Sequence, residues 1–543
     1  MKRRKDRWLW SALVVVGAIG SAALAGATDV VNSRGFSQFA DFFKAALSPA
    51  LDSETLRVAA EETLVTVNYA VLGTALSLTI GILGGALLSE TAWEPLARRW
   101  SVSRRLGWRV VRGIAAIPRS VHEVVWGIIL LNIMGNDPWV AVLAIGIPFG
   151  SVTAKVFAEI MDETPRNAYE SLRASGASRL SSLWYGVLPD SAGDLLSYSF
   201  YRLECAIRSA AILGVIGAGG LGFQLRLSFI NLNYNEMWTF LYALILLSGL
   251  ADWWSSAVRK RHAQVGDSVE SVDIGASPGR DRLLVGSSIA LAVAIPFSWM
   301  TLGIRLRDLW SSETLSRGSE FVADAFPPDF GGTNGGLVGA SIDTVAMAIL
   351  ALAIAFGPAI LLGFLASRPR GHTNIHGRCV RAALSLGRLG VRMFLLVLRA
   401  VPPPIGAFIA LFLFFPGIWP GAVALGVYNL GVTGRLLGEV VENRDTDSED
   451  LLRSQGVGRL SRLAYATAPT VTGRFISVGF YRWEVAIRDT VVVGVVGAAG
   501  LGRVIADQRV SFDYNGMTAT IVALIVLTIA ADQLSAAMRR SFR

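Results

Sequence analysis

The sequence predicts an all-α polytopic membrane protein of about 12 transmembrane helices, arranged as two parallel six-helix repeats. Three observations carry that expectation. Of 543 residues, 52% are hydrophobic and only 17% charged, with mean hydropathy +0.49, too apolar and too long for one compact soluble domain. Twelve stretches approach the roughly 20 mainly apolar residues that a bilayer crossing needs, because lipid offers no partners to free backbone groups. The run Leu172–Asp252 also overlays Leu452–Asp532 without a gap at a constant offset of 280 residues. With only two cysteines, Cys205 and Cys379, no disulfide framework is implied.

In chain order the expected spans are Trp8–Thr28, Leu64–Leu88, Val110–Met134, Trp139–Met161, Leu196–Gly222 and Met237–Val258. The second set is Leu283–Gly303, Leu337–Ala366, Leu389–Phe415, Gly417–Val440, Phe475–Gly502 and Met517–Met538. The first has a basic start and small residues Ala23, Ala25 and Ala27, as a cleavable signal would. An uncleaved anchor is preferred, since its counterpart Leu283–Gly303 cannot be a signal and each half then keeps an even number of spans.

Orientation follows from the basic residues. Lys2, Arg3, Arg4, Lys5 and Arg7, the arginines from Arg98 to Arg112, those from Arg259 to Arg282 and from Arg368 to Arg381, and Arg539, Arg540 and Arg543 all fall on one side. The positive-inside rule makes that side the cytoplasm, with both termini in it, in a multi-pass membrane protein. The outer loops, Asp29–Glu62 and Arg305–Gly336, are richer in acids. The formal net charge of +9 is therefore mainly topology, and it does not call for nucleic acid.

Within the repeat, YRLECAIR at Tyr201–Arg208 meets YRWEVAIR at Tyr481–Arg488, and GVIGAGGLG at Gly214–Gly222 meets GVVGAAGLG at Gly494–Gly502. Upstream the register shifts, Pro118 pairing with Pro402. Six spans per half give both halves the same orientation. The expected organisation is a first unit at 1–258, a cytoplasmic linker at 259–282, polar and punctuated by Gly266, Gly275, Pro278 and Gly279, and a second unit at 283–543.

Between the fourth and fifth spans each half carries an amphipathic cytoplasmic segment, ESLRASGASRLSSLWYGVLP at Glu170–Pro189 and DLLRSQGVGRLSRLAYATAP at Asp450–Pro469. In both, an acid precedes Gly176 or Gly456 by six residues, and Pro189 or Pro469 follows by thirteen. Such a segment forms a short helix, breaks at Gly and restarts. It suits docking into a partner's groove, or lying on lipid headgroups. Two copies at matched positions favour docking.

This segment resembles the EAA loop of ABC importer permeases, whose pattern is EAAxxxG followed by Leu-Pro. Asp450 and Ala468 depart from it, and neither copy has the double Ala, which puts equal docking strength in doubt. Ser197–Leu225 and Ser477–Ile505 resemble the phosphonate/phosphate ABC importer permease family, through a run of the type YRxExxIRxxxxxGxxGAGGxG. The resemblance covers both halves from about their second spans, as though two permease units were fused. It implies the type I importer permease fold, a phosphonate or phosphate-type anion as cargo, an extracytoplasmic substrate-binding protein, and two copies of an ABC ATPase on the loops. No GxxxxGK[ST] motif is present, so ATP and Mg belong on the partner ATPase. No cofactor is expected in this chain, which is read as a transport subunit and not an enzyme.

Charges inside the fifth and eleventh spans are the candidate substrate pathway: Arg202, Glu204, Arg208, Arg482, Glu484 and Arg488. Each costs at least about 2.5 kcal/mol in mid-bilayer unless it is paired or wetted. Glu204 before Arg208 and Glu484 before Arg488 have the favourable i,i+4 order, which leaves Arg202 and Arg482 less committed. Guanidinium forks match phosphonate oxygens. Pairing within the structure and lining of a pathway both remain open. Gly217, Gly220, Gly497 and Gly500 mark a kinked region near the outer mouth, either a gate or close helix packing. The pair His122 and Glu123, opposite Gly406 and Ala407, is asymmetric: a buried pair fixing helix contacts, or a one-sided substrate or proton contact. His372, His376 and Cys379 lack a fourth ligand, and no metal site is expected. Two rivals stand beside the importer, a gradient-driven six-plus-six transporter and a membrane enzyme acting on a lipid-linked phosphate. The paired loops and the lack of convergent acid, base or metal ligands argue against them.

Overall fold

A computed structural model describes residues 16–26, 30–93, 102–270, 282–331, 336–367 and 378–542. Those residues are overwhelmingly helical, with a lone bridge between Val31 and Phe414. The chain divides into two compact units, Pro49–Ala323, and Met1–Ser48 together with Asp324–Arg543.

In the Pro49–Ala323 unit the central pair is Ser53–Leu88 against Trp139–Glu163. Asp52 caps the first of these, accepting from the Thr55 backbone N–H and hydroxyl at 2.9 Å each. Those bonds hold its carboxyl below its ordinary value. Small residues let the two backbones approach: a Cβ on Gly81 would meet the Thr153 side chain at 2.4 Å, and one on Gly150 would meet Ile80 at 2.7 Å. Ser77 and Thr153 share a buried hydroxyl contact of 3.0 Å. This is the close packing expected where apolar burial does not drive helices together.

The six-span halves read along the chain and the units of the structure divide it differently. Arg282–Thr301 begins the second sequence repeat but packs on Ser53–Leu88, where Ser298 Oγ donates to Asn68 Oδ1 at 2.9 Å. The segment before Ser48 packs instead with second-half elements: the Asn32 N–H donates to the Leu413 carbonyl at 2.8 Å, and Trp419 Nε1 to the Gly26 carbonyl at 3.0 Å. An internal repeat shows which segments correspond and leaves open on which copy a terminal segment packs. The stretch expected as a linker is also partly ordered, since the helix Tyr234–Glu270 runs through its first residues. Arg259, Lys260 and Arg261 are good helix formers and nothing breaks the turn there. Residues 271–281 lie outside the described residues.

Among the described residues five helices are long and apolar enough to cross a membrane: Ser53–Leu88, Trp139–Glu163, Tyr234–Arg261, Gly336–Ala366 and Tyr514–Ser541. Three bent pairs bring the number to eight: Val102–Ser120 with Glu123–Met134 at 78°, Arg179–Ala218 with Leu221–Ile230 at 50°, and Ala382–Ala400 with Pro403–Leu413 at 89°. Of the remaining four expected spans, Leu283–Gly303 holds the shorter apolar helix Val285–Thr301, Gly417–Val440 and Phe475–Gly502 are helical over most of their length with polar or charged residues in the run, and Trp8–Thr28 is described only over 16–26. The third and ninth expected spans are thus each broken by a sharp bend. Glu123–Met134 has 12 residues, about 18 Å at 1.5 Å per residue, well short of a crossing. Extended backbone at Val121 and Pro402 makes the breaks, and Pro402 lacks the N–H a continuing helix would need.

Candidate functional site

Each expected loop is a helix, a glycine break and a second helix. In the first half these are Asn167–Ala174, Gly176 at φ +90° and Arg179–Ser182; in the second, Asp447–Ser454, Gly456 at φ +76° and Arg459–Arg462. The positive φ explains the residue type at both breaks, since a Cβ there would be strained. Glu170 and Asp450 are exposed on the first helices, and Pro189 and Pro469 sit in the opening turns of Leu188–Leu213 and Ala468–Val495. A π-helical turn, Leu183–Val187 or Leu463–Thr467, joins loop to long helix without a gap. Leu180 and Tyr185 are exposed, as are Leu460 and Tyr465 at matching positions.

The two loops are fastened differently. Tyr169 is buried and donates its hydroxyl to the Thr91 carbonyl at 3.1 Å. Glu449 stands at the equivalent place, pairing with Arg444 and accepting from Thr467 Oγ1 at 3.3 Å.

Farther along the same helices lie the charged residues. Glu204 accepts from Arg208 at 2.8 Å and Glu484 from Arg488 at 3.3 Å. Glu484 also accepts from Arg539 at 3.3 Å, whereas Arg259, at the corresponding position in the first half, stacks its guanidinium over Tyr201 at 5.5 Å. Arg202 and Arg482 are both buried at 7% exposure. Arg482 directs Nε and Nη2 at Oδ1 of Asn429, Nε at 3.0 Å. Arg202 places its guanidinium 3.7 Å from the centre of the Phe149 ring, and its Nε and Nη2 have no hydrogen-bond partner.

Beyond them the helices break. Gly217 and Gly497 both take φ +115°. The chain then restarts at Leu221 or Leu501, whose N–H donates to the buried hydroxyl of Thr66 or Thr344 at 2.9 Å. Gly220 and Gly500, at φ +76° and +92°, sit so close to those hydroxyls that a Cβ would fall 2.6 and 2.7 Å away. A side chain at either place would expel the threonine that caps the helix.

The helix break, the charged helix and the loop therefore form one sequence of parts, present twice. The family described as "Binding-protein-dependent transport system inner membrane component" matches residues 95–263 and again residues 381–543. The chain belongs to this family. The permease is 25% identical over 494 residues, 91% of its length, to the phosphate-import permease protein PhnE of Mycolicibacterium smegmatis, covering 87% of that relative. It is 30% identical to the phosphite transport system permease protein PtxC of Stutzerimonas stutzeri, over 46% of this chain and 88% of that one. One relative thus aligns with both units and the other with a single unit, so two permease units are fused here. Among solved structures, the inward-facing MetNI methionine ABC transporter covers 38% of this chain and 96% of its own, with 18% identity and a TM-score of 0.33. The permease is a multi-span transport subunit of an inner-membrane transporter family, with the importer-permease domain present twice.

Several residues of the site escaped the sequence reading. Phe149 and Asn429 are 280 residues apart, and carrying the repeat register upstream of Leu172 would have paired them and exposed the lone Asn in an apolar helix. Glu123 is buried and accepts from Ser209 Oγ at 2.6 Å. His122 Nδ1 accepts from the Val124 N–H at 3.2 Å and lies 3.3 Å from the Glu123 carboxylate. In the second half Ala407 replaces Glu123 while Asp489 replaces Ser209, so the carboxylate has moved to the neighbouring helix. Among the described residues no group of three His, Cys, Asp or Glu could hold a metal. His372 and His376 lie outside those residues, as does the Cys379 side chain.

Proposed function

We propose that the permease is the transmembrane subunit of an ATP-driven ABC importer for phosphonate and/or phosphate-type oxyanions in a bacterial plasma membrane, with both termini cytoplasmic. The observation that carries this reading is the family match to both halves, joined to alignment with a phosphate-import permease over 91% of the chain. A second relative named for phosphite transport supports the same class of tetrahedral cargo.

In this reading two copies of an ABC ATPase dock on the loops, Glu170 and Gly176 shaping one contact and Asp450 and Gly456 the other. The exposed Leu180, Tyr185, Leu460 and Tyr465 supply apolar area to those contacts. An extracytoplasmic binding protein delivers the anion. Because each loop runs through a π turn into the helix whose first turn holds Pro189 or Pro469, a push on the loop travels along one helical body to the charged residues and the glycine break. The belt of Arg202, Glu204, Arg208, Arg482, Glu484 and Arg488 lines the anion's route, carrying four cations against two acids. Gly217, Gly220, Gly497 and Gly500 allow the outer break that acts as the gate.

The test is co-purification of the full chain with its ATPase and binding protein, followed by ATP hydrolysis with phosphate, methylphosphonate or phosphite. Stimulation by at least one of them is expected. Hydrolysis indifferent to all three would contradict the reading.

A further inference from the structure

The two halves hold one guanidinium in the same buried position and treat it differently. Arg482 spends its Nε–Nη2 edge on the Oδ1 of Asn429, a residue with no exposed surface. Where Asn429 stands, the first half has Phe149. A ring face attracts a cation lying over it, but it gives the in-plane N–H groups of Arg202 nothing to bond. The unpartnered atoms of Arg202, Nε and Nη2, are the same edge that Arg482 uses. Of the four arginines in the matched runs Tyr201–Arg208 and Tyr481–Arg488, Arg208, Arg482 and Arg488 each hold a side-chain acceptor.

An Nε–Nη2 edge presents two nearly parallel N–H bonds, the fork that matches two oxygens of a carboxylate, phosphonate or phosphate. Phe149 fixes the guanidinium plane from one face and leaves that edge clear of any protein acceptor. A buried donor pair left unmatched is unfavourable and is rarely retained without use.

We propose that the anion site of the permease is one-sided: the Nε–Nη2 edge of Arg202 binds two oxygens of a single phosphonate- or phosphate-type oxyanion, while Asn429 keeps the same edge of Arg482 out of binding. The proposal rests on the function inferred above and sharpens it from a two-sided belt to one binding residue. Because the edge is buried here, the anion reaches it when the packing between Leu188–Leu213 and Trp139–Glu163 loosens during transport.

The test uses the full complex in proteoliposomes, with inorganic phosphate and methylphosphonate as probes. Arg202→Gln is expected to lower uptake about tenfold or more and to raise the half-saturating anion concentration, the scale of losing a charge-assisted fork. Arg482→Gln is expected to cost less than about threefold, because its amide still meets Asn429 by an ordinary hydrogen bond. The deciding variant is Phe149→Asn, which gives Arg202 the acceptor that Arg482 already has. It is expected to lower uptake as Arg202→Gln does while the complex still assembles in wild-type yield, the new hydrogen bond offsetting only part of the stability lost with the ring. If Arg202 were merely structural, Phe149→Asn would transport normally, and that result overturns the proposal. Arg482→Gln as damaging as Arg202→Gln overturns the one-sided site alone. A wild-type complex that moves neither anion overturns this proposal together with the functional reading.

Discussion

Arg202 and Arg482 stand at one position of a duplicated helix, yet one rests on an aromatic face and the other on an amide oxygen. The same divergence recurs along both halves. A buried tyrosine fastens one loop and an Arg–Glu pair the other; the carboxylate of the third-span region sits at Glu123 in one half and moves to Asp489 in the other. Helices satisfy their own backbone groups in lipid, so the helical frame survives duplication while the side-chain junctions are solved afresh. The backbone features that cannot be solved another way remain paired: the positive-φ breaks at Gly176 and Gly456, and the threonine caps at Leu221 and Leu501.

The largest expected effect, after the Arg202 variants, is at Glu484. Glu484 serves Arg488 and Arg539, whereas in the first half the residue corresponding to Arg539 stacks on Tyr201 instead. Glu484→Gln, which strips the counter-charge from both Arg488 and Arg539, should destabilise the purified permease by about 3 kcal/mol, the scale for breaking a buried ion pair. Thermal unfolding in detergent measures it, and an unchanged midpoint would mean that the two guanidinium groups do not depend on Glu484. Next is Asn429→Leu, which leaves the Arg482 edge as unmatched as that of Arg202. A loss of about 1–3 kcal/mol in the same assay is expected, and no loss would mean that water replaces the amide. The smallest effect is at the loop breaks. Gly176→Ala and Gly456→Ala each force a Cβ into left-handed backbone, at about 1–2 kcal/mol. Nothing else crowds either position, so the two should match, and a twofold difference in ATPase co-purification would show unequal docking.

Much of this was legible from residues. Apolar runs, the 280-residue repeat and the Gly and Pro spacing of the loops placed the long helices and the helix–break–helix geometry, because those depend on local pattern. The exchange of the opening segments was not, since correspondence along the chain says nothing about which copy a terminal helix packs on. Nor were the breaks at Val121 and Pro402, where an apolar run hid a bend that Pro118 and the Pro402–Pro404 run only hinted at. The junction of Arg482 with Asn429 joins residues 53 apart in sequence, and the charge pattern of one helix holds no trace of it.

The most direct measurement is uptake of labelled phosphate or methylphosphonate into proteoliposomes holding the permease, its ATPase and its binding protein, with ATP inside and ion gradients collapsed by ionophores. Uptake that requires ATP and survives the ionophores is the predicted result. Uptake by the permease alone, driven by a gradient and indifferent to ATP, would contradict the account.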